Sequence, residues 1–466
     1  MTTTFDIVVV GAGPAGMAAA TEAERSGATV CLLDEQADAG GQIYRNVAHS
    51  TQAQSQVLGP DYVAGLGLVR DLSASGVEHR KGATVWNLDS EGIVTFSVDG
   101  RGAQIRARHI ILATGAMERP VPIPGWTTPG AMTVGAAQIL MKSAGVAPND
   151  AVLIGSGPLL YLVASQLVAA GAPPKALIET QTSDDMLRAM RHFGLALRGW
   201  KELLKGIRMI AGLRRAKVKR FTASTDIRIT GRDAVQSVRF RAQGRDHEIA
   251  TTTALLHQGV VPNTQISRLL GLRHVYDRAQ FSFKPVVDPY GQSSDPMVSI
   301  AGDGAGIGGA KVAALSGRLA TLNALFRIGR IDEATVAEKA KPLVRARRAG
   351  LAPRPFLDAA YPPPASVIRP TDDTIICRCE EVSAGDIRRY AALGCNGPNQ
   401  TKAFGRSGMG PCQGRYCGLT VTELLAEETR QSQDAVGGFR IRAPLKPVTL
   451  KELASLSSTN ILKEDP

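Results

Sequence analysis

Cysteine is scarce along most of this chain of 466 residues. Only Cys31 occurs among the first 376 residues, and the other five cysteines lie at positions 377, 379, 395, 412 and 417. A disulfide framework needs cysteines spread through the fold, so this distribution argues against one. We therefore expect a chain that folds without disulfides in a reducing compartment.

Long hydrophobic runs are also missing from the sequence. No stretch reaches the roughly 18 uninterrupted apolar residues of a membrane span, and no basic region precedes an apolar segment at the N-terminus, as it would in a secretory signal. We expect a cytoplasmic protein that is not integral to a membrane, with peripheral membrane contact left open. Hydrophobic residues make up 44% of the chain and charged residues 21%, as in soluble globular proteins. Its length predicts about three domains.

A strand, a tight turn and a helix are predicted at the start of the chain. The β-branched residues 5–10 lead into Gly11, Gly13 and Gly16, and an alanine-rich helix follows. In such a turn the first glycine permits the bend and the second lets the backbone approach a pyrophosphate. The third lets the helix pack closely on the strand. This pattern is typical of a dinucleotide site.

An acidic pair follows the next predicted strand, residues 28–33. Asp34 and Glu35 stand where a carboxylate can accept hydrogen bonds from ribose hydroxyls. The glycine turn and the acid together predict nucleotide binding, and a purely structural turn is the plainer alternative.

The strand, turn and helix recur at residues 151–161. Gly155 and Gly157 repeat the first two glycines, but Leu160 replaces the third. A bulky side chain there should push the helix from the strand or crowd a pyrophosphate. The following strand ends in Glu179. A second nucleotide at 155–160, either NAD(P) or another adenine nucleotide, and a structural domain without nucleotide both stay open.

Three later segments carry a family resemblance: residues 40–42 (Gly-Gly-Gln), the strand 110–115 and the segment 300–304. In this order they resemble the flavoproteins with two dinucleotide-binding domains, such as glutathione and thioredoxin reductases, over about residues 5–325. The resemblance implies an α/β fold with two Rossmann-like domains and FAD in the first. The cofactor-binding residues it implies are Gly11, Gly13, Pro14, Ala15, Gly16, Asp34, Glu35, Gln36, Gly41, Gln42, Val85, Thr114, Gly115, Gly302 and Asp303.

The redox cysteine pair of those reductases is absent from this sequence. No cysteine follows Gly41 near the first site, and residues 119–249 contain none. Because disulfide chemistry needs a thiolate within reach of the flavin, we do not expect disulfide or thioredoxin reduction.

Much of the net charge of +12 lies in one segment. Residues 185–220 hold eleven basic residues against two acidic ones. Apolar residues at three- and four-residue spacings predict one apolar helical face; they are Phe193, Leu197, Trp200, Leu204, Ile207 and Ala211. Glycines at 194, 199, 206 and 212 weaken the prediction of one straight helix. The face could pack on its own domain, dock on a partner subunit or lie on an anionic membrane. Nucleic acid fits poorly, because no aromatic-rich basic platform accompanies the charge.

A second composition change follows residue 330. Prolines at 353, 355 and 362–364 predict an extended linker over residues 331–372. Beyond it, Cys377 and Cys379 precede a second pair, Cys412 and Cys417. In an extended segment residues two apart point the same way, so the first pair can reach one iron together.

Four clustered thiols predict a metal site. This arrangement resembles the bacterioferritin-associated ferredoxin-like domain, although its second pair usually has a shorter spacing. The resemblance implies a small helical domain with a 2Fe-2S cluster held by Cys377, Cys379, Cys412 and Cys417. Structural zinc and unmetallated thiols are the alternatives. Cys395 is expected to be a small packed hydrophobe in a helix.

The whole order of segments resembles the larger subunit of bacterial opine oxidases or dehydrogenases, over about residues 5–440. Subunits of hydrogen cyanide synthase and hydroxyproline dehydrogenase look similar. The resemblance implies a smaller partner, similar to glycine or sarcosine oxidases, that oxidises a C-N bond, and it leaves a small third subunit open. This chain would pass the electrons through FAD and the cluster to a quinone or other acceptor. No catalytic residue is assigned to it.

Three other functions stay open. One is a free-standing NAD(P)H-dependent FAD and iron-sulfur reductase, and another is a redox sensor without turnover. The third, implied by the resemblance, is a subunit of hydrogen cyanide synthase or hydroxyproline dehydrogenase. The predicted domains are the FAD domain (1–118 and 250–330), the inserted NAD(P)-like domain (119–249), the linker (331–372), the 2Fe-2S domain (373–440) and a C-terminal tail (441–466).

Overall fold

A computed structural model describes residues 3–461, with side chains as far as residue 456. The ends of the predicted first domain (1–2) and of the predicted tail (462–466) lie outside the described residues. The strands are β1 (Thr3–Val10), β2 (Val30–Leu33), β3 (Glu78–Arg80), β4 (Thr84–Leu88), β5 (Ile93–Val98), β6 (Arg101–Leu112), β7 (Ala116–Glu118), β8 (Ala131–Thr133), β9 (Ala151–Ser156), β10 (Ala176–Glu179), β11 (Lys219–Phe221), β12 (Thr225–Thr230), β13 (Ser237–Ala242), β14 (Arg245–Ala250), β15 (Thr253–Gln258), β16 (Val260–Pro262), β17 (His274–Asp277), β18 (Ser282–Pro285), β19 (Val298–Ile300), β20 (Ile375–Cys377) and β21 (Val382–Ser383).

Helices alternate with these strands in the first three quarters of the chain and dominate its last quarter. They are α1 (Pro14–Arg25), α2 (Gln52–Leu58), α3 (Pro60–Val63), α4 (Gly65–Ser73), α5 (Val134–Ala144), α6 (Pro158–Ala169), α7 (Ser183–Met190), α8 (Phe193–Ala196), α9 (Trp200–Arg215), α10 (Gln265–Leu269), α11 (Ala310–Arg327), α12 (Glu333–Leu351), α13 (Arg354–Ala360), α14 (Ala365–Ile368), α15 (Ala384–Ala392), α16 (Pro398–Gly405), α17 (Gly418–Thr429), α18 (Gln433–Val436) and α19 (Leu450–Ile461). Three short 3-10 turns lie at Val47–His49, Leu197–Gly199 and Gly302–Ala305.

The first sheet contains the predicted nucleotide turn. Its strand order is β3-β2-β1-β6-β5-β4, and β19 also pairs with β6. β1 runs parallel to β2 and to β6, and its residues 5–10 are buried. Helices α1 and α11 pack together, and the Thr321 hydroxyl donates to the Ala19 carbonyl oxygen at 2.9 Å. Buried parallel strands with covering helices are the mark of a Rossmann-like unit.

The second sheet repeats this architecture. Its order is β11-β10-β9-β15-β8, and every pairing in it is parallel. A three-stranded antiparallel sheet, β12-β13-β14, is inserted before β15. The predicted fold with two Rossmann-like units is confirmed.

The predicted extended linker at 331–372 is wrong, because helices α12, α13 and α14 occupy most of it. Helix α12 packs against α11 because this contact buries the apolar side chains of Val336 and Ala340. The prolines mark helix starts: Pro353 and Pro364 are the residues that precede the first turns of α13 and α14. Proline is tolerated there because those N-H groups have no partner within the helix.

The predicted tail is part of the fold as well. Ile441 and Leu445 are buried in the same hydrophobic cluster as strands of the first sheet. The Leu445 N-H donates to the Trp86 carbonyl oxygen at 2.8 Å, and the Gly102 N-H donates to the Ser455 hydroxyl at 2.7 Å. The segment therefore crosses from the cysteine module to the first sheet.

The basic segment 185–220 forms several short helices, α7, α8 and α9, instead of one. Its buried apolar residues are Ala189, Ala196, Leu213 and Val218. Trp200 and Ile207, which the spacing placed on a packing face, are exposed. Among the described residues, no helix is both long and apolar enough to cross a membrane.

Candidate functional site

The first glycine turn brings strand, loop and helix into direct contact. Gly11 has φ +104°, and a Cβ on it would meet the Ala113 carbonyl oxygen at 2.6 Å. A Cβ on Gly16 would lie 1.7 Å from the Gly11 carbonyl oxygen. Helix α1 begins at Pro14, and no side chain caps its N-terminus at Gly13. These N-H groups are therefore available to a phosphate.

The two acids after β2 have different roles. Asp34 is buried, and its carboxylate accepts hydrogen bonds from the Ala12 N-H and, at 2.7 Å, from the Gln36 N-H. Both oxygens thus hold the loop itself. Glu35 is exposed and pairs with Lys446. Asp34 and Glu35 are the two candidates for binding the ribose. The carboxylate of Glu35 accepts no hydrogen bond from a backbone N-H of the described loop, so its oxygens are the ones available to a ribose.

A buried lysine supports the loop that carries Gly41 and Gln42. Lys142 is 2% exposed, and its Nζ donates to the Gln42 carbonyl oxygen at 3.0 Å and to Gln138 Oε1 at 2.8 Å. Burial lowers the pKa of Lys142 to about 7. Sequence reasoning missed this residue, although a single lysine within the apolar run of α5 is a usable signal.

Gly41 also lies against the first turn, since a Cβ on it would come within 2.9 Å of the Gly13 Cα. Beside it, the Arg45 guanidinium donates to Gln36 Oε1. The two glycine loops therefore form one concave edge.

The remaining predicted cofactor residues flank this edge. Thr114 Oγ1 donates to the Asn263 carbonyl oxygen at 3.2 Å. Gly302 has φ +70°, and a Cβ there would lie 2.8 Å from Ala15 Cβ. Asp303 Oδ1 accepts from the N-H groups of Gly308 and Gly309 at 2.9 and 3.0 Å.

Two predicted residues adjoin these groups. A Cβ on Gly304 would approach the Gly115 carbonyl oxygen at 3.5 Å, so Gly115 lies beside the turn that follows β19. Val85 is buried on β4, two residues after Ala83, whose N-H donates to the Asp34 carbonyl oxygen at 2.8 Å. The sequence-predicted residues are thus gathered at the carboxyl ends of β1, β2, β6 and β19.

The second glycine turn is built differently. Leu160 is fully buried in the core. It belongs to the same hydrophobic cluster as Leu153 of β9. Glu179 is also completely buried, and its carboxylate accepts from the Arg220 guanidinium at 2.8 Å. The acid that a ribose would need is therefore already paired.

An aromatic pair lies beside the same turn. The rings of Tyr161 and Tyr361 have centroids 6.2 Å apart, edge to face. The Cβ of Tyr361 would lie 4.0 Å from a Cβ on Gly157. The segment after α13 thus covers this end of the second sheet.

Sequence reasoning also missed a buried pair next to this turn. His257 Nδ1 lies 2.6 Å from Glu118 Oε1, and Glu118 Oε2 accepts from the Gly135 N-H at 2.7 Å. A histidine at the carboxyl end of β15 was the only signal in the sequence.

The four predicted cysteine ligands meet as two pairs. The thiols of Cys377 and Cys417 hydrogen-bond each other, and this bond lowers the pKa of Cys377 to about 6. The thiols of Cys379 and Cys412 form the second hydrogen-bonded pair, and burial raises the pKa of Cys379. A Cβ on Gly410 would lie 3.1 Å from the Cys379 Sγ, so the loop 408–417 folds over the hairpin β20-β21. Within the described residues, no three metal-binding side chains already form a coordination group.

The fifth cysteine of this region stands apart from the pairs. Cys395 is buried in the hydrophobic cluster, as expected, but it follows α15 and does not lie within a helix. Burial raises the pKa of its thiol.

A cavity separates the cysteine module from the first nucleotide edge. It is lined on one side by Asn263, Gln265 and Arg268 and on the other by Gly414 and Arg415. Gln265 Oε1 is buried there without a hydrogen-bond partner. Burial lowers the pKa of Arg268 to about 10. The cavity thus offers polar groups between the two predicted centres.

The C-terminal segment closes one flank of this region. The Arg415 guanidinium donates to the Leu445 carbonyl oxygen at 3.1 Å, and Gln413 donates to the Pro444 carbonyl oxygen. Because the next residue, Lys446, pairs with Glu35, one short segment links the cysteine loop to the nucleotide edge.

Comparisons with known proteins agree with this arrangement. The family model of pyridine nucleotide-disulphide oxidoreductases matches residues 5–339, and the sarcosine oxidase A3 domain matches residues 372–456. The opine oxidase A subunit of Rhizobium meliloti is 43% identical over 98% of this chain and 88% of its own length. The corresponding opine oxidase protein of Agrobacterium tumefaciens (strain Ach5) is 44% identical over 98% of this chain and 92% of that protein. The HcnB protein of hydrogen cyanide synthase from Pseudomonas aeruginosa is 32% identical over 97% of this chain and 98% of that protein.

Solved structures share the fold. L-proline dehydrogenase from P. horikoshii superposes with a TM-score of 0.71 at 19% identity, over 97% of this chain and 80% of that chain. The thioredoxin reductase of Lactococcus lactis has a TM-score of 0.50 at 20% identity, over 70% of this chain and 100% of that chain.

Proposed function

This chain belongs to the family of opine oxidase A subunits and to the pyridine nucleotide-disulphide oxidoreductases, and we propose that it is the electron-transfer subunit of a heteromeric opine dehydrogenase. The family resemblance predicted from the sequence is confirmed, and the chain is an oxidoreductase. In the proposed reaction an opine or related secondary amine loses two electrons at its C-N bond. The resulting imine is hydrolysed to an amino acid and a 2-oxo acid. The two electrons leave through this chain to a quinone or another acceptor.

The observation that carries the proposal is the link between two candidate centres. The loop 408–417 carries two of the thiols, and the adjoining segment around Leu445 reaches Glu35 at the nucleotide edge. Two redox centres on one chain must lie near each other to exchange electrons, and these contacts connect the cysteine loop to the nucleotide edge.

The first edge fits FAD. Cβ atoms on Gly11 and Gly16 would collide with backbone, so the tight turn needs glycine at both positions, and the uncapped N-terminus of α1 suits a pyrophosphate. We propose that Gly13, Pro14 and Ala15 hold the pyrophosphate and Glu35 the ribose, while Asp34 and Gln36 shape the loop. Gly41, Gln42, Val85, Thr114, Gly115, Gly302 and Asp303 complete the proposed site. When bound, FAD exchanges electrons singly or in pairs.

The four thiols fit a 2Fe-2S cluster by their chemistry. Cys377, Cys379, Cys412 and Cys417 come from two loops and face each other in pairs, and such a cluster takes four thiolates. A bound cluster supplies one-electron transfer. Arg415 lies within the cysteine loop, where a cation offsets thiolate charge. Structural zinc is the competing occupant.

We propose that the second Rossmann-like unit is a structural domain that binds no nucleotide. Its acid, Glu179, is ion-paired and fully buried, and Tyr361 lies beside its glycine turn. This arrangement disfavours the free-standing NAD(P)H-dependent reductase, because that function needs a nicotinamide nucleotide at 155–160. We keep the proposed bounds of the FAD domain (1–118 and 250–330), the inserted domain (119–249) and the 2Fe-2S domain (373–440). Residues 331–372 and 441–461 are not a linker and a free tail, because they pack on these domains.

We further propose a smaller flavoprotein partner similar to glycine or sarcosine oxidases. The oxidation of the C-N bond is assigned to this partner. The relatives are themselves named as subunits, one of opine oxidase and one of hydrogen cyanide synthase, which supports a multi-subunit enzyme.

The test compares the chain alone with the chain co-expressed with a candidate smaller subunit, a flavoprotein similar to glycine oxidases. Alone, the chain should be coloured and contain FAD and iron but show no opine-dependent dye reduction. The co-purified complex should reduce the dye with octopine or nopaline. Full activity from the lone chain would contradict its role as one subunit of a complex. A colourless chain that contains one equivalent of zinc would contradict the assignment of both FAD and the 2Fe-2S cluster.

A further inference from the structure

An apolar and basic surface covers the outside of the second Rossmann-like unit. It comprises α7, α8, the 3-10 turn after α8, and α9, and we call it the 186–208 surface. Leu187 is 72% exposed, Trp200 54% and Ile207 64%. Met190, Phe193, Leu195 and Leu197 are also exposed. Isolated exposed apolar residues are common, but this many within one short stretch mark an interaction surface.

The apolar face of α9 is turned away from the protein. Trp200, Leu204 and Ile207 fall at helical spacing, while the helix packs inward through Ile210 and Leu213. α9 therefore has two apolar faces, and only one of them has a partner in the fold. The same is true of α7, where Ala189 is buried and Leu187 is exposed.

Five of the exposed apolar residues have an arginine or lysine directly after them in the chain. The pairs are Leu187 with Arg188, Met190 with Arg191, Leu197 with Arg198, Trp200 with Lys201, and Ile207 with Arg208. Of the three acids in α7, α8 and α9, Asp185 pairs with Arg188 and Glu202 with Lys311, while Asp184 is exposed in the first turn of α7. Among the described residues, Arg191, Arg198 and Arg208 have no ion-pair partner.

We propose that the 186–208 surface docks the protein on a bilayer that contains anionic lipids. Protein interfaces concentrate apolar residues in a core that is poor in charge, whereas here cations and apolar residues alternate. A headgroup layer accommodates both, because the apolar tips enter the acyl boundary while the arginine and lysine heads remain among the phosphates. This proposal stands independently of the substrate and of the electron acceptor.

The test measures sedimentation of the purified full chain, and of its complex, with two kinds of vesicle. One contains phosphatidylglycerol and phosphatidylcholine, and the other phosphatidylcholine alone. We expect binding to the anionic vesicles that weakens steeply with added salt. No binding by either preparation, or equal binding to both vesicles, overturns the proposal.

Two sets of variants assign the binding to this surface. L187S/W200S/I207S removes apolar tips and should weaken binding at least tenfold, an order of magnitude set by the burial of such side chains. R198Q/K201Q/R208Q should weaken it by roughly fivefold per charge. The matched control is V146S/L393S, because both residues are exposed apolar side chains elsewhere on the protein. It should bind like the parent.

The competing occupant is a partner subunit. If both variant sets bind vesicles normally, the 186–208 surface is not the membrane surface. If they fail to assemble with the smaller subunit while vesicle binding persists, the surface belongs to a protein interface and the proposal is wrong. Circular dichroism and FAD content should be unchanged in every variant.

Discussion

Lys446 pairs with Glu35 across 411 positions of sequence. Both side chains lie at the rim of the first nucleotide edge, and Lys446 follows directly on the segment that packs against the cysteine loop. The segment around Lys446 is therefore part of the proposed nucleotide edge, and it forms its ion pair with Glu35 and not with Asp34.

The first prediction separates Asp34 from Glu35. E35Q should fold normally and release FAD more readily, with an affinity loss of about tenfold, since it removes a charge-assisted hydrogen bond to ribose. D34N should lower the free energy of unfolding by about 1–3 kcal/mol, because one of its two backbone N-H partners loses its acceptor. FAD retention on a desalting column and thermal unfolding measure the two effects. Equal behaviour of both variants would contradict the assignment.

The second prediction concerns the buried Lys142. The pKa of Lys142 in the folded protein is about 7, below its value in the unfolded chain. Between about pH 7 and 10 the unfolded chain therefore binds one more proton at Lys142 than the folded protein does. The stability of the parent should therefore rise with pH across this window, relative to K142M. The measurement is the difference in Tm between the parent and K142M at pH 7 and pH 9.5. A constant difference would mean that Lys142 is not the titrating group.

The third prediction tests the cysteine pairs. C377S and C412S should each lose the visible absorption beyond the flavin bands and most of the iron, because each removes one thiolate ligand. C395A is the matched control, since Cys395 is buried away from the pairs, and it should retain both. Metal analysis after anaerobic purification distinguishes iron from zinc. Retention of iron by C377S and C412S would exclude these residues as ligands.

The fourth prediction concerns the second glycine turn. R220M should lower the free energy of unfolding by about 3–5 kcal/mol, because it leaves the Glu179 charge buried without a partner. The double variant R220M/E179Q should recover much of this loss. Isothermal titration of the parent with NADH and NADPH should show no binding, and micromolar binding of either would overturn the nucleotide-free assignment.

Local pattern was enough to identify the main elements of this protein. Glycine at 11, 13 and 16 after a β-branched run predicts a Rossmann-like turn, and a Cβ on Gly11 or Gly16 would collide with backbone atoms. The cysteines at 377, 379, 412 and 417 indicated one module, because thiolate ligation of a metal requires cysteine and the residue type is therefore visible in the sequence. The proline-rich segment gave a wrong prediction, because proline is compatible with both an extended chain and the first turn of a helix.

The tertiary structure decided which of several equivalent residues has which role. Sequence alone could not separate Asp34 from Glu35, since the difference lies in which of them meets the N-H groups of Ala12 and Gln36. The sequence also could not show that Arg220 forms an ion pair with the buried Glu179, or that Lys446 contacts Glu35 at the nucleotide edge. Such contacts join residues that are far apart in the chain. Spacing predicted that α9 has an apolar face, but only packing decides which side of a helix the core covers, and in α9 the face with Trp200 is left outside.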